Sequence, residues 1–264
     1  MAQLEGKVAV VTGGTQGLGE ATARLFARRG AAGLVVCGRA ADRGRRVADE
    51  ISAFGCPTAF VQAELADPGD RARVIEAADR EFGRVDSLVN CAACTERGTV
   101  ADTTVELWDR MFAVNVRAPF LLLQHAVEIM RREGIAGTVV NVITVSSHGG
   151  APYLVAYASS KGALATLTRN TANALLPDRI RVNGLNIGWM STPGEDLTQK
   201  RFHDAPDDWL ERAARNQPFG RLLEPEEVAR AIAFLASAES GLMTGSVVDF
   251  DQTVIGTVPD ERRF

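Results

Sequence analysis

Short runs rich in β-branched residues alternate with longer amphipathic stretches along almost the whole chain, and this alternation restricts the possible folds most. "KVAVV" at 7–11, "LVVC" at 34–37, "TAFVQ" at 58–62, "SLVN" at 87–90, "GTVVNVI" at 137–143, "IRVNGLN" at 180–186 and "GSVVDF" at 245–250 read as strands. Most are apolar throughout rather than at every second position, the pattern of parallel strands covered on both faces. Helical periodicity fills the spaces at about 18–29, 42–53, 68–82, 105–131, 155–175 and 225–236. Two of these stretches open on an acid followed by proline, Asp67-Pro68 and Glu224-Pro225. Proline suits the first helical position, and the acid complements the positive end of the helix dipole. The order implies right-handed crossovers and an α/β fold: a Rossmann-like, doubly wound parallel sheet of about seven strands with helices on both faces.

The 264 residues contain no internal repeat, low-complexity tract or linker, so a single domain over 1–264 is expected to carry both binding and chemistry. One segment breaks the rhythm. Residues 190–221, long, polar and punctuated by proline, read as a lid or binding insertion over a substrate. A net charge of -4 gives no electrostatic footprint for nucleic acid. The N-terminal stretch lacks a long apolar h-region and no later run approaches a membrane span, so the expected location is the cytoplasm, without a membrane partner. Four cysteines suit a reducing compartment. Cys91 and Cys94 form a CxxC, but no second pair exists to complete a zinc site, and small loop thiols are the simpler reading.

"VTGGTQGLGEA" places Gly13, Gly14, Gly17 and Gly19 between the first strand and the first helix. Glycine lets the backbone approach a pyrophosphate closely, and a helix N-terminus offers unpaired N–H groups to the anion. A Gly-rich turn without a ligand is the plain alternative, but the position at the first strand–helix turn favours a nucleotide held by Gly13, Thr15, Gln16, Gly17, Leu18 and Gly19. An acid about 20 residues beyond such a motif would bind the ribose diol of NAD. Here "VVCGRA" offers Gly38 and then Arg39, whose planar fork suits a 2′-phosphate, so NADP(H) is expected to be preferred, with NAD(H) the alternative. Further on, "YASSK" sets Tyr157 and Lys161 four apart on one helix face. A lysine cation close to a phenol favours the phenolate and makes an acid/base pair at ordinary pH, although this spacing also arises by chance.

Together, Thr12-Gly13 with Gly17 and Gly19, "NCAA" at 90–93, Asn115 in "MFAVNVRAPF" and Tyr157 with Lys161 resemble the short-chain dehydrogenase/reductase family over essentially the whole length. The resemblance implies hydride transfer between a nicotinamide cofactor and a small carbonyl or alcohol. Tyr157 would be the proton donor or acceptor. Lys161 would lower the tyrosine pKa and hold the nicotinamide ribose, and Asn115 would hold a relay water. Glu64 and Leu65 correspond to the family's pair beside the adenine, Asn90 and Ala92 to its turn beside the cofactor, and Gly188 and Thr192 to its contacts near the nicotinamide.

The substrate-orienting serine of the family, thirteen residues before the tyrosine, is Thr144 here. Strand alternation would send Thr144 and Ser146 to the same face, so only the spacing selects Thr144. Two other departures are "IG" at 187–188 for Pro-Gly and "DQT" at 251–253 for Asp-Gly-Gly. By analogy, His148, Tyr153, Trp189 and Met190 flank the substrate pocket. The apolar faces of 105–131 and 155–175 resemble the family's subunit contacts and imply a homotetramer. The rival readings are an NAD-dependent polyol or sugar dehydrogenase and a dinucleotide sensor without turnover.

Overall fold

The computed structural model describes residues 3–257. The strands β1 (Val8–Thr12), β2 (Gly33–Gly38), β3 (Thr58–Gln62), β4 (Ser87–Asn90), β5 (Thr138–Thr144), β6 (Arg181–Ile187) and β7 (Val247–Phe250) form one sheet in the order β3-β2-β1-β4-β5-β6-β7. All neighbours are parallel. The connecting helices are α1 (Gly17–Arg28), α2 (Ala41–Ala53), α3 (Pro68–Phe82), α4 (Val105–Phe112), α5 (Ala118–Arg132), α6 (Val155–Ala174), α7 (Pro193–His203), α8 (Trp209–Arg215) and α9 (Pro225–Ala236).

Strand alternation divides the core in two. Val11, Val36, Val89 and Val140 face Phe26 of α1, Val47 of α2 and Ile232 of α9. Val10, Val35, Leu88 and Val139 face Val74 of α3 and Leu122 of α5. Each such side chain, once fully buried, contributes about 1.5–3 kcal/mol, which is why continuous apolar runs become central strands. Both acid-proline openings behave as expected. The Asp67 carboxylate accepts from the Asp70 N–H at 3.0 Å, and that of Glu227 accepts from the Glu224 N–H at 3.0 Å.

The strand order reverses between β1 and β4, and a crevice opens there at the C-terminal ends of the strands. Thr12 closes its floor: its hydroxyl accepts from the backbone N–H groups of Cys91 and Ala92, both at 3.0 Å.

Two elements differ from the sequence expectation. The stretch 105–131 is not one regular helix, because a π-helical turn, Ala113–Arg117, separates α4 from α5. The turn swings Asn115 fully inside, where its amide finds polar partners that an even helix would not bring to it. The segment 190–221 is likewise more ordered than its polarity suggests. It holds α7 and α8, and Trp209, Ala213 and Leu222 make a small core of their own. Its ends meet: the Leu223 N–H donates to the Trp189 carbonyl at 3.0 Å and the Ser191 N–H to that of Leu223 at 2.9 Å. Among the described residues, no helix is long and apolar enough to cross a membrane.

Candidate active site

A cleft of about 1270 Å³ runs along the C-terminal ends of the strands. Its floor is the glycine turn. Gly13 has φ +69°, the left-handed region, and a Cβ there would lie 3.0 Å from Ala92 Cα. At Gly19 a Cβ would lie 2.3 Å from the Gly13 carbonyl oxygen. The turn is thus packed against the chain with no allowance for side chains. No side chain caps α1, so its first-turn N–H groups and its dipole stay available to an anion at the cleft floor. Thr15, Gln16, Gly17 and Leu18 line that floor, so the residues present fit the pyrophosphate of a dinucleotide.

The end of β2 selects what lies beyond. A Cβ at Gly38 would meet Thr15 Cγ2 at 2.7 Å, so a side chain at the position where an acid would clasp a ribose diol requires Thr15 to shift. Arg39 follows with its side chain 80% exposed, 3.8 Å from the Glu64 carboxylate. A pair this open to water contributes little, which leaves the guanidinium able to turn to another anion. Leu65 lies in the same wall.

Where the cleft passes β5 and α6 it gathers the chemical groups. Lys161, 2% exposed, donates from Nζ to the Val142 carbonyl at 2.7 Å and lies 6.0 Å from the centre of the Tyr157 ring. Burial pushes the Lys161 amine down to about 8, opposed by Cys91 nearby. Burial raises the Tyr157 phenol to about 12, Arg97 and a hydrogen bond with Thr144 pull it down, and Glu195 and Cys94 push it up. The conflict between Thr144 and Ser146 dissolves in the backbone. β5 ends at Thr144 and the chain tightens into a 3₁₀ turn, Val145–His148, so strand alternation does not extend to Ser146. The Thr144 hydroxyl accepts from the Ser146 N–H at 3.3 Å and lies close enough to Tyr157 to lower its phenol pKa.

Asn90 and Asn115 are not cleft residues by side chain. Asn90 donates to Asn141 Oδ1 at 2.8 Å inside the sheet. Asn115 accepts from the Cys94 N–H at 2.8 Å, and donates to the Cys94 carbonyl at 2.9 Å and to Ser160 Oγ at 3.0 Å. It thereby clamps the loop after β4 to α6. His148 also departs from expectation. It lies outside the cleft, bonded to Asp249 at 3.0 Å, because the 3₁₀ turn carries it toward the edge strand β7. The thiols of Cys91 and Cys94 are free and burial pushes both upward, Cys91 to about 12, which keeps them protonated. No metal-binding cluster exists among the described residues.

The departures "IG" and "DQT" turn out to touch each other. The Asp251 side chain, just after β7, fills the space that a Cβ at Gly188 would take, so a larger residue there would have to displace it. Gln252 accepts from the Phe219 N–H at 3.0 Å and donates to the Arg221 carbonyl at 2.7 Å, tying down the far end of the 190–221 segment. Thr192 caps α7 by accepting from the Glu195 N–H at 3.0 Å, and its side chain faces Gly17 across the cleft. Sequence reasoning missed Arg97, Ser160 and Glu195, because each joins the site only through folding and none belongs to a local motif.

A family model described as enoyl-(acyl carrier protein) reductase matches residues 13–252. The NADP-dependent (R)-specific alcohol dehydrogenase of Lentilactobacillus kefiri is 32% identical over 94% of this chain and 96% of that protein. The cis-4-hydroxycyclohexanecarboxylate dehydrogenase of Sinomonas cyclohexanicum is 35% identical over 93% and 95%. Among solved structures, L-sorbose reductase from Gluconobacter frateurii, complexed with NADPH and L-sorbose, superposes with a TM-score of 0.91 at 30% identity, over 98% of this chain and all of that one. With the glycine cradle, the sheet order and these full-length similarities, the chain belongs to the short-chain dehydrogenase/reductase family and is an NAD(P)-dependent oxidoreductase.

Proposed function

We propose that the protein interconverts a carbonyl and a secondary alcohol and prefers NADP(H), in one domain whose 190–221 segment is the substrate lid. The observation that carries this reading is the convergence of Thr144, Tyr157 and Lys161 in the cleft that the glycine turn floors. A bound nicotinamide supplies or takes the hydride at the reacting carbon. Tyr157 donates its phenolic proton to the carbonyl oxygen in reduction, or accepts the hydroxyl proton in oxidation. Lys161, when charged, favours the phenolate, and Thr144 holds the reacting oxygen. The Asn115 amide is occupied by Cys94 and Ser160, so its side chain positions the loop after β4 instead of holding a relay water.

Thr144→Ser is expected to keep activity within about threefold. Thr144→Val keeps the shape but loses the hydroxyl, and is expected to lower kcat/KM about 10- to 100-fold, the scale of one hydrogen bond to a charged or developing-charge oxygen. A silent Thr144→Val together with an impaired Ser146→Ala would move the role to Ser146.

The cofactor preference rests on the crowded position at Gly38 and the exposed Arg39. The Glu64 carboxylate beside Arg39 supports the rival choice, NAD(H). Steady-state kinetics with both cofactors are expected to give a kcat/KM ratio of at least about tenfold for NADPH over NADH, one charge-assisted contact at this exposed site. A ratio below one would reverse the assignment. Trp108 and Phe120, half exposed on α4 and α5, support association into a homotetramer through these helices. The four free thiols support a cytoplasmic location.

A further inference from the structure

The substrate end of the cleft holds an ion pair that the proposed chemistry does not use. Arg97 follows β4, Glu195 lies in the first turn of α7, and Arg97 Nη2 stands 3.6 Å from Glu195 Oε1. Their side chains are only 13% and 17% exposed, so both charges are largely desolvated and their positions are fixed. Glu195 Oε1 also accepts from Trp189 Nε1 at 2.8 Å and Gln199 Nε2 at 2.7 Å. Arg97 donates from Nη1 to the Thr95 carbonyl at 2.7 Å and from Nε to His203 Nε2 at 3.3 Å. Among the described residues, nothing donates to Glu195 Oε2 and nothing accepts from Arg97 Nη2 within hydrogen-bond distance. Both atoms belong to residues that line the cleft, close enough to bias Tyr157 in opposite directions.

We propose that Arg97 and Glu195 read hydroxyl groups on the carbons next to the reacting one, and that the substrate is a neutral polyhydroxylated ketone or alcohol, a ketose or polyol. This rests on the carbonyl–alcohol reading above. The pair is neutral overall but leaves one acceptor and one donor unspent, and a substrate hydroxyl satisfies both, donating to Oε2 and accepting from Nη2. A plain alkyl or acyl chain would dehydrate both ions and return no hydrogen bond. A substrate carboxylate would find Arg97 already neutralised and would face the Glu195 charge. Sites built to bond a hydroxyl reject analogues that lack it far more strongly than apolar pockets reject a missing methylene.

The test compares, with NADPH, a set of ketohexoses, 2-hexanone and a 2-oxo acid of the same length, and in reverse the matching polyols and 2-hexanol. The best ketose or polyol is expected to exceed the unhydroxylated compound by at least about 100-fold in kcat/KM. In Glu195→Ala that ratio is expected to fall about 10- to 100-fold, while Glu195→Gln, which keeps an acceptor oxygen, retains part of it. Cofactor fluorescence on each variant verifies that the fold is intact. Preference for 2-hexanone or the 2-oxo acid, or a ratio unmoved in folded Glu195→Ala, overturns the hydroxyl reading but leaves the oxidoreductase assignment standing. Cofactor binding without turnover of any member, in either direction, overturns both.

Discussion

Tyr157→Phe is expected to lower kcat for carbonyl reduction by roughly 10²- to 10⁴-fold, the range associated with loss of a positioned general acid. Phenylalanine keeps the ring and its packing on α6 and removes only the phenolic hydroxyl, so the variant is expected to fold and still bind the cofactor. The wild-type phenol, raised to about 12 by burial, stays protonated through the physiological range and is ready to donate. In the oxidative direction the same group must first lose its proton, so oxidation is expected to accelerate as pH rises while reduction does not. Steady-state kinetics in both directions on the variant and the wild type measure this. A variant with near-wild-type kcat would assign the proton to another group.

Lys161→Met separates catalysis from stability. The Lys161 amine titrates at about 8 in the folded protein against an ordinary 10.5. Between these values the unfolded chain binds the proton and the native state does not, so this residue makes stability rise with pH across that window. Below pH 8 the native state carries the whole cost of a buried ammonium. Methionine removes that cost, so Tm at pH 7 is expected to increase, by about 2–4 °C for each kcal/mol relieved. The gain should shrink toward pH 10.5, the ordinary lysine value. Reduction is expected to fall about 10²-fold or more; the wild type is expected to lose kcat/KM above pH 8 as Lys161 loses its proton, and the variant is expected to show no such loss. Thermal melts and pH–rate profiles on one preparation test both effects. A variant less stable than wild type at pH 7 would show that the bond from Nζ to Val142 outweighs the burial cost.

The parts of the fold visible in the sequence are those where local pattern and tertiary environment agree. All seven strands stand where the β-branched runs put them, and the five central ones lack an alternating polar face because they are buried on both faces. The glycine cradle and the Tyr157–Lys161 pair were visible for a similar reason, as their residues are neighbours in sequence and in space. The π turn at 113–117 was hidden because its cause, the loop at Cys94, lies on another element. Within 190–221, α8 was hidden because it is short and packs on a core of only a few side chains, and α7 because its sequence is mostly polar. Asn90 resembled a cofactor contact in sequence, but its side chain points into the sheet. Arg97 and Glu195 carry no local signature, and only the closing of α7 over the strand ends joins them.

The contact between Gly38 and Thr15 couples the two positions in the evolution of cofactor choice. An acid at position 38 would drive its Cβ into Thr15 before its carboxylate could reach a ribose. An acid at 38 would therefore require Thr15 to turn away or give way to a smaller residue, a change that brings no benefit by itself. The two sites are epistatic. Varying positions 15 and 38 together is therefore expected to accommodate an acid at 38 more readily than varying position 38 alone.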